Sequence, residues 1–231
     1  MKCYIIYGSE TLLLKPFINK IDKKSICIRI YNNKTPSKKT NFFDYKFDHN
    51  VFENISNLLN KNINKTKKIV FIGAASTLEK TLFLSNKKKE IDNIIEVNIK
   101  NYLNLVGLII PYMIKIKNGS FIYLSSFRAI KPTKGTLLYS GTKAFCETFF
   151  KGIGREYGRL NITSHIIRMG AFEGKMLHDL GEEYIKKVKK HISIGRNGSA
   201  DELSNIIDFC EKNAYTTTGI IEANGGLNME T

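Results

Sequence analysis

Tyr139 and Lys143 stand four residues apart in the stretch Tyr139-Ser-Gly-Thr-Lys143. On a helix that spacing puts both side chains on one face, one turn apart. An ammonium beside a phenol favours the phenolate. A tyrosine tuned in this way can pass a proton to or from a ketone or alcohol oxygen. The pair alone carries little weight, because 11 tyrosines in a lysine-rich chain give about one such pair by chance. Its company carries more. Ser126 closes an apolar run 13 positions before Tyr139, where a hydroxyl can polarise the same substrate oxygen. Asn98 can organise water near Lys143 as a proton relay. Taken singly, Ser126 reads better as a turn or helix-cap serine, and Asn98 as a satisfied helix asparagine.

For these groups to meet, strands must deliver them to one edge and helices must hold them there. Tyr4–Tyr7 is a short apolar run that stops at Gly8, and Ser25–Tyr31 is rich in β-branched residues; both read as strands. Phe43–Asp48 reads as a short third strand. Lys68–Ala75 is a continuous apolar run ending in small residues, the pattern of a central parallel strand. Ser120–Leu124, Ile162–Arg168 and Gly219–Ala223 complete the strands. Helical spacing appears over Thr11–Ile21, Val51–Leu59, Ile91–Ile116, Tyr139–Tyr157 and Ala200–Cys210. Lys87–Glu90 reads as a solvated turn, and residues 170–198 as irregular chain around a basic helical stretch. Strands alternate with helices and nothing repeats, so the expectation is an α/β fold with a doubly wound parallel sheet. Such sheets bind ligands at the carboxyl ends of their strands, which directs attention to Gly8, Asn32, Ala74, Ser126 and Gly170.

The ordered set resembles the short-chain dehydrogenase/reductase family. Ile122-Tyr-Leu-Ser-Ser126 and Tyr139-Ser-Gly-Thr-Lys143-Ala144 are similar to its serine strand and its Y-x-x-x-K helix. Val97-Asn98 resembles its asparagine motif, and Ile69–Ala75 stands in the place of its N-N-A-G segment. Ile162–Gly170 resembles the strand leading to its P-G motif. Gly195-Arg196, Ala200-Asp201-Glu202, Thr218-Gly219 and Gly225-Gly226 resemble its C-terminal signature. The resemblance covers nearly the whole chain. It implies a Rossmann-like single domain over residues 1–231, and hydride transfer between a nicotinamide cofactor and a small-molecule carbonyl or alcohol. On that basis Tyr139 is the general acid/base, and Lys143 tunes it and binds the nicotinamide ribose. Ser126 holds the substrate oxygen and Asn98 maintains the relay. The implied cofactor contacts are Gly8, Leu13, Asn32, Asp48, Gly73, Ala74, Tyr139, Lys143 and Gly170. It also implies a homo-oligomer, dimer or tetramer, packed through helices 99–116 and 140–158.

The pattern departs from the family at its phosphate loop, T-G-x-x-x-G-x-G. Tyr7-Gly8-Ser-Glu-Thr-Leu12-Leu13-Leu14 keeps only the first glycine. Leucines at 12 and 14 are expected to add bulk where phosphate lies, leaving the helix amides and dipole to attract it. Small residues Gly73, Ala74 and Ala75 are expected to leave room for a ribose. Cofactor choice is read after the second strand, where an acid binds the ribose of NAD. Tyr31-Asn32-Asn33-Lys34 offers a lysine and no acid, so NADP(H) is expected over NAD(H). The alternative to an enzyme is a non-catalytic binding protein on the same fold with a degenerate nucleotide loop.

The chain has 231 residues and a net charge of +15. Only six of its 36 basic residues are Arg. Arg carries most specific nucleic-acid recognition, and Lys, Asn and Ile share A/T-rich codons. A nucleic-acid partner is therefore not expected. No apolar run approaches the ~18 residues of a membrane span, and Met1-Lys2 leads straight into a strand with no cleavage site after it. The four cysteines have no metal-ligand spacing and read as reduced core thiols in a cytoplasm; no metal site is expected. The substrate region is expected in Ala171–Ile192, with Phe172, Met176, Leu177 and His178 near the pocket. Lys186, Lys187, Lys189 and Lys190 there read as a solvated face.

Overall fold

The computed structural model describes residues 1–32, 41–79, 81–179 and 181–227. It opens with β1 (Lys2–Tyr7), α1 (Lys15–Lys20), β2 (Ile26–Tyr31), β3 (Phe42–Lys46), α2 (Val51–Asn62) and β4 (Lys68–Gly73). It continues with α3 (Lys88–Ile95), α4 (Asn101–Ile116), β5 (Gly119–Ser126), α5 (Leu137–Tyr157) and β6 (Ile162–Met169). It closes with α6 (Lys175–His178), α7 (Glu182–Lys190), α8 (Ala200–Lys212) and β7 (Ile220–Ala223). The seven strands form one sheet in the order β3-β2-β1-β4-β5-β6-β7, and every pairing is parallel. The chain winds outward from β1 in one direction and from β4 in the other, so this is the Rossmann-like doubly wound sheet expected from the alternation.

The central strands β1 and β4 are largely apolar because both faces of the sheet are covered there. Ile5, Ile28, Phe71, Phe121 and Ile166 turn one way, into a core shared with Ile55, Tyr102, Ile109 and Phe150 of α2, α4 and α5. Their neighbours Ile6, Cys27, Ile72, Ile122 and Ile167 turn the other way, onto Phe17 and Ile18 of α1 and Leu203 and Ile207 of α8. A side-chain period of two over a sheet buried on both sides gives a continuous hydrophobic run rather than an alternating one. All four cysteines are buried, and burial pushes Cys3 and Cys210 up to about 12 and Cys146 up to about 11.

Three elements differ from the sequence expectation. The helical stripe from Thr11 begins as a 3-10 turn, Leu12–Leu14, and only six residues of α-helix follow. Lys87–Glu90 is a helix start rather than a turn: Glu90 reaches back to accept from Lys87 N at 2.8 Å, which satisfies an amide at the head of α3. The long helix from Ile91 to Ile116 is interrupted by a π turn, Glu96–Lys100, that joins α3 to α4. None of the helices among the described residues is long and apolar enough to cross a membrane.

Candidate active site

Lys143 is 3 % exposed. Its Nζ donates to the carbonyl of Leu124 on β5 at 2.8 Å. The ammonium lies 4.8 Å from the ring centre of Tyr123 and 5.6 Å from that of Tyr139. Burying an ammonium is costly unless it is compensated. Here one carbonyl and two aromatic faces, which attract cations, supply the compensation. Helical spacing on α5 and the run of β5 beneath it bring the pair together. Tyr139 is itself buried, at 5 % exposure.

Ser126 ends β5 and caps the short turn that follows, accepting from Arg128 N at 3.3 Å. Accepting uses a lone pair and leaves the hydroxyl proton to give. One residue earlier, Ser125 donates to Glu147 at 2.7 Å, which ties the strand end to α5 one turn beyond Lys143. Asn98 sits inside the π turn, a local distortion that often marks functional sites. Its side chain accepts from Thr77 N at 2.8 Å, donates to Thr77 O at 2.9 Å and reaches Thr142 Oγ1 at 3.1 Å. It thus clamps the loop after β4 against the residue beside Lys143. The carbonyl of Asn98 accepts from Cys146.

A carboxylate absent from the sequence reading completes this cluster. Glu79, on the loop after β4, accepts from Leu138 N at 2.7 Å and from Tyr139 N at 3.1 Å. No local motif announces it, because the contact spans about sixty residues.

A second group of the expected residues lies at the ends of β1, β2 and β4. Gly8 has φ +87°, and a Cβ there would lie 2.4 Å from Ala75 N. Only glycine lets the loop leave β1 this close to β4, whose continuation hydrogen-bonds to Tyr7 O through Ala74 N at 2.8 Å. Asn32 and Asp48, separate guesses from the sequence, line one cavity of about 370 Å³ with Phe47, His49, Glu96 and Asn101. Leu13 lies against Gly174 of the loop after β6, 3.5 Å from where a Cβ would stand. Glu10 follows Gly8 in the loop after β1. One of its oxygens accepts from Asn32 N at 3.0 Å, and the other is buried with no hydrogen-bond partner among the described residues.

A Cβ on Gly73 would meet the Tyr102 ring at 2.6 Å, so its smallness admits Tyr102. The bare α-carbon of Gly170 faces Asn224, whose Cα would be 2.8 Å from an added Cβ. Leu14, expected to add bulk at the loop, turns instead into the core. Its side chain is fully buried with Tyr4, Ile6 and Phe17, while Leu12 points outward at 67 % exposure. In the expected substrate region Phe172 and Leu177 are buried and His178 is exposed beside Glu173. The side chain of Met176 and the whole of Lys34 lie outside the described residues.

Sheet order and strand-end cluster together define a Rossmann-like α/β fold with its polar groups gathered at the carboxyl ends of the strands. A family profile for short chain dehydrogenases matches residues 26–185, and the chain belongs to that family. It is 28% identical over 238 aligned positions to a 3-oxoacyl-(acyl-carrier-protein) reductase of Buchnera aphidicola subsp. Acyrthosiphon pisum, covering 97% of this chain and 96% of that one. It is 29% identical over 178 positions to the enzyme of the same name from Thermotoga maritima, covering 76% of this chain and 72% of that one. In structure it is similar to a 4-hydroxyisoleucine dehydrogenase complexed with NADH, at TM-score 0.86, 18% identity and 100% of both chains. It is also similar to ElxO with NADP bound, at TM-score 0.82, 19% identity and 98% of both chains.

Proposed function

We propose that this chain is a nicotinamide-dependent oxidoreductase, one domain over residues 1–231, that interconverts a ketone and a secondary alcohol. The observation that carries this is the buried ammonium of Lys143, held by Leu124 O against the ring of Tyr139. A buried charge set against a titratable partner at strand ends is a signature of functional sites. Tyr139 gives a proton to the carbonyl oxygen in reduction and takes it back in oxidation. Ser126 donates its free hydroxyl proton to the same oxygen. Lys143 sets its charge against the Tyr139 ring, and Asn98 maintains the relay behind it by fixing the loop after β4.

Gly8, Leu13, Asn32, Asp48, Gly73, Ala74 and Gly170 hold the dinucleotide, with Tyr139 and Lys143 at its ribose end. When bound, it supplies or accepts the hydride. The orphaned oxygen of Glu10 and the Asn32–Asp48 cavity fit a polar nucleoside. Preference for NADP(H) rests on the lysines that follow Asn32 in sequence, Lys34 first. The curated relatives are named as 3-oxoacyl-(acyl-carrier-protein) reductases, so a 3-oxoacyl thioester is the first substrate to try.

The assembly is taken as a homo-oligomer, dimer or tetramer, through α4 and α5. Leu103 and Phe145 stay 37% and 43% exposed on those helices, with Phe145 stacked on Phe149. A cytoplasmic setting suits the reduced thiols. The test is fluorescence titration with NADPH and NADH, followed by turnover of a 3-oxoacyl thioester. Tyr139→Phe is expected to abolish turnover and keep binding. Failure of both dinucleotides to bind overturns the proposal.

A further inference from the structure

The first turn of α5 is capped from elsewhere in the chain. The leading amides of a helix have no partner within it, and the residue at its head normally supplies one from its side chain. Thr136 holds that position but makes no cap bond. Its hydroxyl donates instead to Thr133 O at 2.8 Å. The second and third amides, those of Leu138 and Tyr139, are taken by Glu79 Oε1 at 2.7 and 3.1 Å, with Oε2 also 3.3 Å from Tyr139 N. Glu79 is 8 % exposed. Among the described residues it forms no ion pair, so the amides and the positive end of the 21-residue helix are what stabilise its charge. The loop that carries it is fixed two residues earlier, where Asn98 grips Thr77 on both backbone atoms.

We propose that Glu79 is a positioning residue for Tyr139, fixing the backbone that carries its phenol at the head of α5. This rests on the proposed role of Tyr139. Lys143 lies beneath Tyr139 on the same helix, so a shift of the first turn parts the phenol from the ammonium.

The test separates the cap from the rest of the side chain. Glu79→Gln keeps an acceptor oxygen for the amides; Glu79→Ala leaves them without one. Glu79→Ala is expected to lower kcat about tenfold with little change in KM, as for a group that acts through the geometry of another. Glu79→Gln is expected to restore most of that loss and to melt close to wild type. A Glu79→Ala variant that keeps wild-type kcat overturns the inference, and so does a Glu79→Gln variant that loses as much kcat as Glu79→Ala. Turnover that survives Tyr139→Phe overturns instead the role given to Tyr139, and the two failures are read in different variants.

Discussion

The ammonium of Lys143 lies under the face of Tyr139, 5.6 Å from the ring centre, and its hydrogen bond goes down to Leu124 O rather than outward. The lysine is therefore part of the floor of the site before any ligand arrives. Lys143→Met keeps most of the stem and removes the charge, leaving Leu124 O without its partner. An unsatisfied buried carbonyl costs about 1–3 kcal/mol, and loss of proton-transfer assistance costs about a hundredfold or more in rate. The variant is expected to melt a few degrees lower and to lose at least that factor in turnover. Calorimetry and initial rates check the two effects separately. Near wild-type turnover would remove Lys143 from the proton path.

Glu10 touches the end of β2 from the neighbouring loop, accepting from Asn32 N while its second oxygen stays unpartnered. A carboxylate at this strand end accepts well from ribose hydroxyls and repels a 2′-phosphate. Glu10→Gln keeps the bond to Asn32 N and drops the charge. It is expected to tighten NADPH binding relative to NADH by about tenfold, the equivalent of roughly 1.4 kcal/mol. Parallel titrations of the two dinucleotides give the ratio; an unchanged ratio places Glu10 outside the cofactor's reach.

What could be read from the sequence follows from the range of each interaction. The strands were legible because burial on both faces leaves continuous apolar runs such as Lys68–Gly73. Tyr139 and Lys143 were legible because a helix turns spacing directly into proximity. The π turn at Asn98 was not, since its five residues differ from the α-helix only in hydrogen-bond register. Glu79 acts across a separation that leaves no local pattern. A glycine signals close approach without saying to what. At Gly73 the approaching group is Tyr102, and at Gly170 it is Asn224. Leu14 leaves the 3-10 turn Leu12–Leu14 pointing into the core, a direction that its place in the sequence does not announce.

Behind the site, Arg168 of β6 makes a two-pronged bond to Glu147 of α5, at 2.9 and 2.6 Å, and a further bond to Glu222 of β7. Both partners of the main pair are buried, and Ser125 also relies on Glu147. Glu147→Met leaves a buried guanidinium half-paired and is expected to cost about 3–5 kcal/mol. The double change Glu147→Met with Arg168→Met removes both charges and is expected to recover much of that loss. Denaturant melts of the two single variants and the double variant test this as a cycle. Additive losses would mean that the pair contributes no coupling.

His165 of β6 is fully buried. Its Nε2 meets Asn213 O at 3.2 Å and Thr216 Oγ1 at 3.1 Å, and its Nδ1 has no partner among the described residues. Burial lowers its pKa from 6.5, and nearby Lys68 lowers it further, against a raising bond to Asn213 O. In the unfolded chain the imidazole takes up a proton near 6.5, while in the folded protein it resists until a lower pH. Across that interval the unfolded state holds more protons, so stability falls as pH falls. Above the unfolded value the group contributes no slope. His165→Gln keeps a donor for Asn213 O and removes the titration. It is expected to flatten the fall in melting temperature below pH 6.5 while losing some stability at neutral pH. Melting curves across that range decide the point: a variant that keeps the full wild-type slope would assign the acid sensitivity to groups other than His165.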